Sequence, residues 1–299
     1  MPVRSIPLQV PLDLGLTLGP LLRGRHDPTM RLAPGHAVRA WRTPGGPVTL
    51  ELTTHGGLLA AEAWGDGAAW ALEAVPALVG LDDDAADHFR PDHHGLARLV
   101  AGLRGLRIGR TGCVLDALVP AILEQRVTGV EASGAFGRLV RAHGEPAPGP
   151  HGLRMPPAAA TLAALPAWTY HGLGVDERRA IALRRAGELA GRLEECSELP
   201  LPDAYARLRA LPRVGAWTAA EVGARALGDP DAVSVGDAHL PDLVAWALAG
   251  EPRASDERML ELLEPYRGQR GRVIRWLEAS GLRAPRFGPR RAPRWIAGI

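Results

Sequence analysis

From residue 96 to residue 279 the chain reads as ten short stretches of helical periodicity, each parted from the next by turns rich in Gly and Pro. That alternation specifies a many-helix body with short connections and leaves no room there for a large sheet. The predicted helices cover 96–103, 114–127, 131–143, 158–165, 176–194, 201–210, 216–227, 240–248, 256–263 and 270–279. In the second of them Leu115, Leu118, Val119, Ile122 and Val127 fall near one face. The longest predicted loop is 145–157. The first 85 residues differ in character: strands are expected at 37–41, 48–54 and 58–64, joined by TPGGP and by His55-Gly56-Gly57. A helix over 68–79 and the turn Gly80 to Asp84 close that unit. The expected fold is therefore α+β and mostly α-helical. A strand-rich N-terminal domain (1–85) precedes a helical body (86–280) and a basic C-terminal tail (281–299).

With 46% hydrophobic residues over 299 positions, the chain can bury a sizeable core. No apolar run approaches the ~20 residues that span a bilayer, and the N-terminus lacks the apolar stretch of a secretion signal. Both point to a soluble, cytoplasmic protein without a membrane partner. Cys113 and Cys196 are isolated, too few for a zinc or iron–sulfur site, and read as buried structural thiols. All 35 basic residues are arginine. A chain without lysine has no phosphate-loop lysine, no pyridoxal Schiff base and no side-chain amine nucleophile. Neither a G-x-S-x-G elbow nor a G-x-G-x-x-G turn after a strand is present. The net charge of +2 averages two opposite regions. Residues 51–100 carry nine acidic residues against two arginines, whereas 265–299 carry nine arginines against Glu278. The basic end either faces a large anion such as nucleic acid or is a solvated tail.

The chemistry concentrates in residues 201–240, LPDAYARLRALPRVGAWTAAEVGARALGDPDAVSVGDAHL. One helix ends near Ala210, the turn Leu211-Pro212-Arg213-Val214-Gly215 follows, and a second helix starts at Ala216. Pro212 blocks continuation of the first helix, and Gly215 is expected to take a geometry that a Cβ would strain. The unpaired N–H groups opening the second helix suit a phosphate oxygen, so the hairpin is built to hold a duplex backbone without reading its sequence.

LxxLPxVGxWTA, followed about twenty residues later by an aspartate, resembles the helix-hairpin-helix DNA glycosylase superfamily, in its DNA-3-methyladenine glycosylase II type. The resemblance covers roughly residues 100–280 and includes AILEQRVTG at 121–129, similar to the family's glutamine-containing segment that enters the minor groove. It implies that Asp237 is the catalytic carboxylate, which would stabilise an oxocarbenium-like sugar as the base leaves. Asp229 and Asp231 compete for that role, but GDPD reads better as a turn. It further implies a base pocket containing Trp217 and Tyr266, whose rings would attract a cationic alkylated base. Either ring could instead be a core aromatic. Glu221, one helical turn after Trp217, replaces an aromatic of related pockets and either alters base preference or faces solvent. Leu211, Arg213, Gly215 and Thr218 of the hairpin, with Gln125 and Arg126, complete the expected DNA-binding set. Arg213 stands where the hairpin often has glycine: its turn is strained or its side chain touches phosphate. Arg126 sits where a side chain fills the gap left by a flipped base, and could equally be a surface arginine.

Members that also cut the strand use a lysine where this chain has Trp217, so base hydrolysis that leaves an abasic site is expected. Its partner would be damaged double-stranded DNA, bound by a monomer. No cofactor is expected beyond a monovalent cation held by hairpin carbonyls. The cluster Asp87, His88, Asp92, His93 and His94 is read as a loop rather than a metal site, because adjacent histidines diverge. Two other readings stay open: a glycosylase of the same superfamily for deaminated or oxidised bases, and a non-catalytic DNA-binding protein that retains the hairpin.

Overall fold

A computed structural model describes residues 2–286 and 292–294. The chain opens with β1 (Val3–Pro7), the short helix α1 (Leu14–Leu18) and β2 (Met30–Ala33). Then come β3 (His36–Thr43), β4 (Gly46–His55), β5 (Leu58–Trp64) and α2 (Ala68–Leu78). The five strands form one antiparallel sheet in the order β1-β5-β4-β3-β2. The three expected strands are its centre; β1 and β2 are added as its edges. Gly56 and Gly57, with φ of 57° and 77°, make the two-residue connection between β4 and β5, a turn whose double positive φ matches the twist of the strands.

Alternation in β3 buries both faces. Ala37 and Trp41 join Leu14, Leu18, Leu50, Leu52, Leu59 and Val75 in a core under α1 and α2. Val38 and Ala40 point the other way and are covered by Leu153 and Met155, from the 145–157 loop. Arg39 is also buried, and it pairs with Asp116 of the helical body.

The body continues with α3 (Ala85–His88), α4 (His94–Ala101), α5 (Val114–Glu124), α6 (Gly129–His143), α7 (Ala159–Ala164), α8 (Ala167–Gly172) and α9 (Glu177–Glu188). It ends with α10 (Ala190–Glu194), α11 (Leu201–Arg209), α12 (Ala216–Val222), α13 (Leu240–Ala249), α14 (Asp256–Leu263) and α15 (Arg270–Ala279). Three expectations are corrected. The helix predicted over 114–127 stops at Glu124, because Gln125 is extended and Arg126 is left-handed, and Thr128 with Glu131 then builds a capping box that starts α6. The stretch 176–194 breaks at Leu189 into α9 and α10. The second hairpin helix changes after Val222 into a π-helical segment, Gly223–Leu227, closed by left-handed Gly228.

Two further cores hold this body. One packs Leu118, Ile122, Leu139, Leu183, Leu208 and Val222 from α5, α6, α9, α11 and α12. The other packs Leu96, Val244, Met259, Val273, Trp276 and Leu277 from α4, α13, α14 and α15. Each such leucine contributes about 1.5–3 kcal/mol by leaving water. The basic C-terminal segment expected at 281–299 falls partly outside the described residues. No helix among the described residues is long and apolar enough to cross a membrane.

Candidate active site

The three cores meet around an open cleft of about 2510 Å³, whose walls include Leu18 and Leu21 of the first, Leu211 and Val214 of the second, and Leu240 and Ile274 of the third. The α11–α12 hairpin forms one lip. Val214 N–H donates to the Leu211 carbonyl (3.1 Å), which tightens the turn. The first intrahelical bond of α12 runs from Ala219 N–H to the Gly215 carbonyl (3.0 Å). The N–H groups of Ala216, Trp217 and Thr218 therefore have no acceptor within the helix.

The strained residue of the turn is Arg213, with φ of 71°, and not Gly215, whose backbone is extended and beside which a Cβ would meet no atom. Arg126, with φ of 57°, is the other non-glycine residue in the left-handed region among the described residues. The two are tied together. The Gln125 side-chain amide donates to the Arg213 carbonyl (3.0 Å) and to the Thr218 hydroxyl (2.9 Å). Gln125 thus braces the 125–127 loop against the hairpin, and Thr218 and Leu211 face inward, at 2% and 3% exposure, as supports. Of the expected DNA-binding side chains, those of Arg126 and Arg213 stand exposed on the cleft, without an ion pair among the described residues. Arg178 and Arg209 do the same from α9 and α11.

Asp237 also lines the cleft, just ahead of α13 and within hydrogen-bond distance of α12. Its Oδ1 accepts from His239 N–H (2.8 Å) and Leu240 N–H (3.0 Å), and its Oδ2 accepts the indole N–H of Trp217 (3.1 Å). Three donors, two of them from the start of α13, fix the orientation of the carboxylate. Among the described residues no ion pair is made with it, and the carboxylate lines the cleft. Its rivals are engaged in structural bonds, although Asp229 also lines the cleft. Asp229 accepts from the Tyr205 hydroxyl (2.6 Å) and from Asp231 N–H (2.8 Å), shaping the turn. Asp231 pairs with Arg270 (2.5 Å), away from the cleft walls.

The expected base pocket is redrawn. Trp217 is half-buried on the cleft and presents its N–H edge to Asp237. Tyr266 is 9% exposed and packs in the third core, edge-on to Phe89 at 6.5 Å; it does not line the cleft. Glu221 does line it, held by Arg225 and by the Ser234 hydroxyl (2.5 Å). Sequence reasoning missed Ser234 and Arg225; no local signal marks them, since their link to Glu221 exists only in the folded chain. Behind them, burial and the nearby Arg225 charge pull Arg23 down to about 10, still protonated at neutral pH. The histidine-rich cluster is only partly a loop, since Asp87 and His88 lie in α3 and His94 opens α4, and it has structural work: the His93 ring caps α4 through Leu96 N–H (3.3 Å), and Asp87 pairs with Arg107 (2.9 Å). Among the described residues no group of three or more His, Cys, Asp or Glu is placed to hold a metal ion.

The chain superposes on the 3-methyladenine DNA glycosylase of Archaeoglobus fulgidus with a TM-score of 0.77 at 19% identity, over 92% of this chain and 97% of that one. It carries the helix-hairpin-helix glycosylase fold. A Clostridium acetobutylicum 8-oxoguanine glycosylase/lyase, solved with double-stranded DNA, shares this glycosylase fold at a TM-score of 0.68 and 13% identity, over 93% and 97% of the two chains. In sequence the chain is 33% identical over 172 residues to a probable bifunctional transcriptional activator/DNA repair enzyme AlkA of Mycobacterium tuberculosis. That match takes in 55% of this chain but spans only about 31% of the relative's length. No family profile matches the chain. The resemblance read from residues 201–240 thus holds at the level of the glycosylase fold.

Proposed function

We propose that this chain is a monofunctional DNA glycosylase that hydrolyses the N-glycosidic bond of alkylated purines of the 3-methyladenine type and leaves an abasic site for base excision repair. The observation that carries the reading is the Asp237 carboxylate, fixed by two backbone N–H groups and the Trp217 indole, without an ion pair among the described residues, on the wall of an arginine-rimmed cleft. Such a group stabilises positive charge that develops on the sugar as the base departs. The named activities of the similar proteins support it. A cationic alkylated base is already a good leaving group, so one carboxylate suffices. With Trp217 where a strand-cutting enzyme needs an amine, and no lysine in the chain, Schiff-base cleavage has no side chain to use. Duplex DNA would be held by the hairpin and the exposed arginines, with a monomer acting in the cytoplasm. The Leu211 and Arg213 carbonyls each accept one bond here and retain a lone pair for a monovalent cation.

A specific observation favours the second reading, a glycosylase for oxidised or deaminated bases. Among the described residues Trp217 is the one Trp, Tyr or Phe on the cleft wall, and Glu221 and Ser234 supply polar groups where a second ring was expected. The deciding experiment incubates the protein with randomly methylated duplex DNA and identifies released bases by mass spectrometry, beside Asp237→Asn. Release of 3-methyladenine or 7-methylguanine, lost by at least 100-fold in the variant with DNA binding intact, is the expected result. Release only from oxidised or deaminated duplexes would replace the first reading by the second.

A further inference from the structure

Asp237 sits on a loop, and something must hold that loop in register. Trp217 and Glu221 are four residues apart on α12 and so share one face of it. Each makes one bond to the segment before α13: Trp217 to Asp237, and Glu221 Oε1 to the Ser234 hydroxyl (2.5 Å). Asp237 N–H then donates to the Ser234 carbonyl (3.2 Å), closing a turn between the two anchor points. Gly236 N–H is held from the far side by Asp256 (3.1 Å). Glu221 is itself immobilised. Arg225, one turn further along, pairs with its other carboxylate oxygen, and the Arg225 Nε donates to the Pro20 carbonyl (3.2 Å) in the N-terminal unit. The Glu221 side chain is 15% exposed and that of Arg225 19%.

We infer that Glu221 is a positioning residue, which through Ser234 fixes the loop that presents Asp237 and locks it to the helix whose N-terminus meets the DNA backbone. The inference rests on the glycosylase reading for its consequence in catalysis, but not for the fastening itself. The same helix then sets both the backbone anchor and the carboxylate, so their separation is fixed before any substrate arrives. A phenylalanine or tryptophan at 221 has no acceptor for the Ser234 proton, and no aromatic side chain could also pair with Arg225 as a carboxylate does, which gives the departure from the expected ring a purpose. The N-terminal unit enters the site through Pro20 and Arg225 as the outermost link.

The test compares Ser234→Thr, which keeps the hydroxyl, with Ser234→Val, which keeps the threonine shape without it. Hydrogen exchange over 234–240 reads the loop, single-turnover excision reads the chemistry, and duplex affinity reads the anchor. The expected result for Ser234→Val is faster exchange confined to that segment, a roughly 10- to 100-fold slower excision step and unchanged DNA affinity, with Ser234→Thr near wild type. Glu221→Ala combined with Ser234→Val should lose less than the sum of the two. Exchange and excision that are alike in the two variants would overturn the inference, as would a loss of global stability that accounts for both effects. Faster loop exchange in a protein that releases no base would sustain the fastening and reject the glycosylase reading.

Discussion

Arg213 holds a left-handed backbone that costs about 1–2 kcal/mol for any residue with a Cβ. The tie from Gln125 to its carbonyl and the compact hairpin keep it there. Glycine would relax the strain but would lose the guanidinium at the cleft rim. Arg213→Gly is therefore expected to leave the thermal midpoint unchanged or slightly higher while it weakens DNA binding. The plot of log affinity against log salt should become shallower by about one unit, the signature of one lost phosphate contact. Unchanged affinity and slope would show that the arginine is tolerated rather than used. The opposite signs separate a binding role from a folding role.

At the scale of elements, the π-helical segment after α12 opens at a close approach that only glycine allows. A Cβ on Gly223 would lie 2.0 Å from the Tyr205 hydroxyl, which donates to Asp229. Gly223→Ala should destabilise the fold by about 1–3 kcal/mol, read by chemical denaturation. Tyr205→Phe in the same chain should recover part of that loss, because it removes the nearest clashing atom. No sequence rule announces such a contact. What the sequence did announce were the features with local causes. Gly56-Gly57 marked a hairpin and Leu-Pro-Arg-Val-Gly marked the turn between α11 and α12, while the family resemblance named Asp237 and Trp217 around that turn and Gln125 in AILEQRVTG, three residues that the fold brings to one cleft. The edge strands β1 and β2 were illegible because they are short and half-exposed and exist by pairing with residues far along the chain. The end of α5 was hidden because Val127 continues the apolar spacing past the true stop. Tyr266 was misread because a ring in a motif and a ring in a core look alike until their neighbours are known.

For the whole molecule, arginine–carboxylate pairs join units that the chain makes separately. Arg39 with Asp116 ties the sheet to α5, Arg272 with Asp83 ties α15 to the end of the N-terminal unit, and Arg107 with Asp87 ties α3 inward. The hydrogen bond from Arg107 holds the Asp87 carboxyl below its usual range. Burial pushes Asp231 upward, but its bonds from Arg270 and Gly268 outweigh that and leave it low as well. A carboxyl lowered by folding contributes stability above its unfolded pKa, about 3.9, and loses it as the pH falls through the folded value. Glu194 runs the other way: burial raises its carboxyl, so it favours the fold on the acid side and opposes it as the pH rises. Asp176, Glu251 and Glu257 are lowered too, so among the described residues five lowered carboxyls stand against Glu194, and a series of thermal melts should show a flat midpoint at neutral pH and a decline that sets in below about pH 4. A midpoint that climbs on acidification would contradict these pairings.

The second face of β3 is roofed by Leu153 and Met155, more than a hundred residues later in the chain. At ribosomal speeds of about 5–20 residues per second, Val38 and Ala40 emerge many seconds before their cover exists. During that interval the nascent sheet presents a bare apolar surface to the crowded cell, and its maturation is paced by translation rather than by its own pairing. Slow codons or a pause between β5 and the 145–157 loop would lengthen the exposure, so the yield of folded protein depends on the tempo of synthesis as well as on the finished sequence.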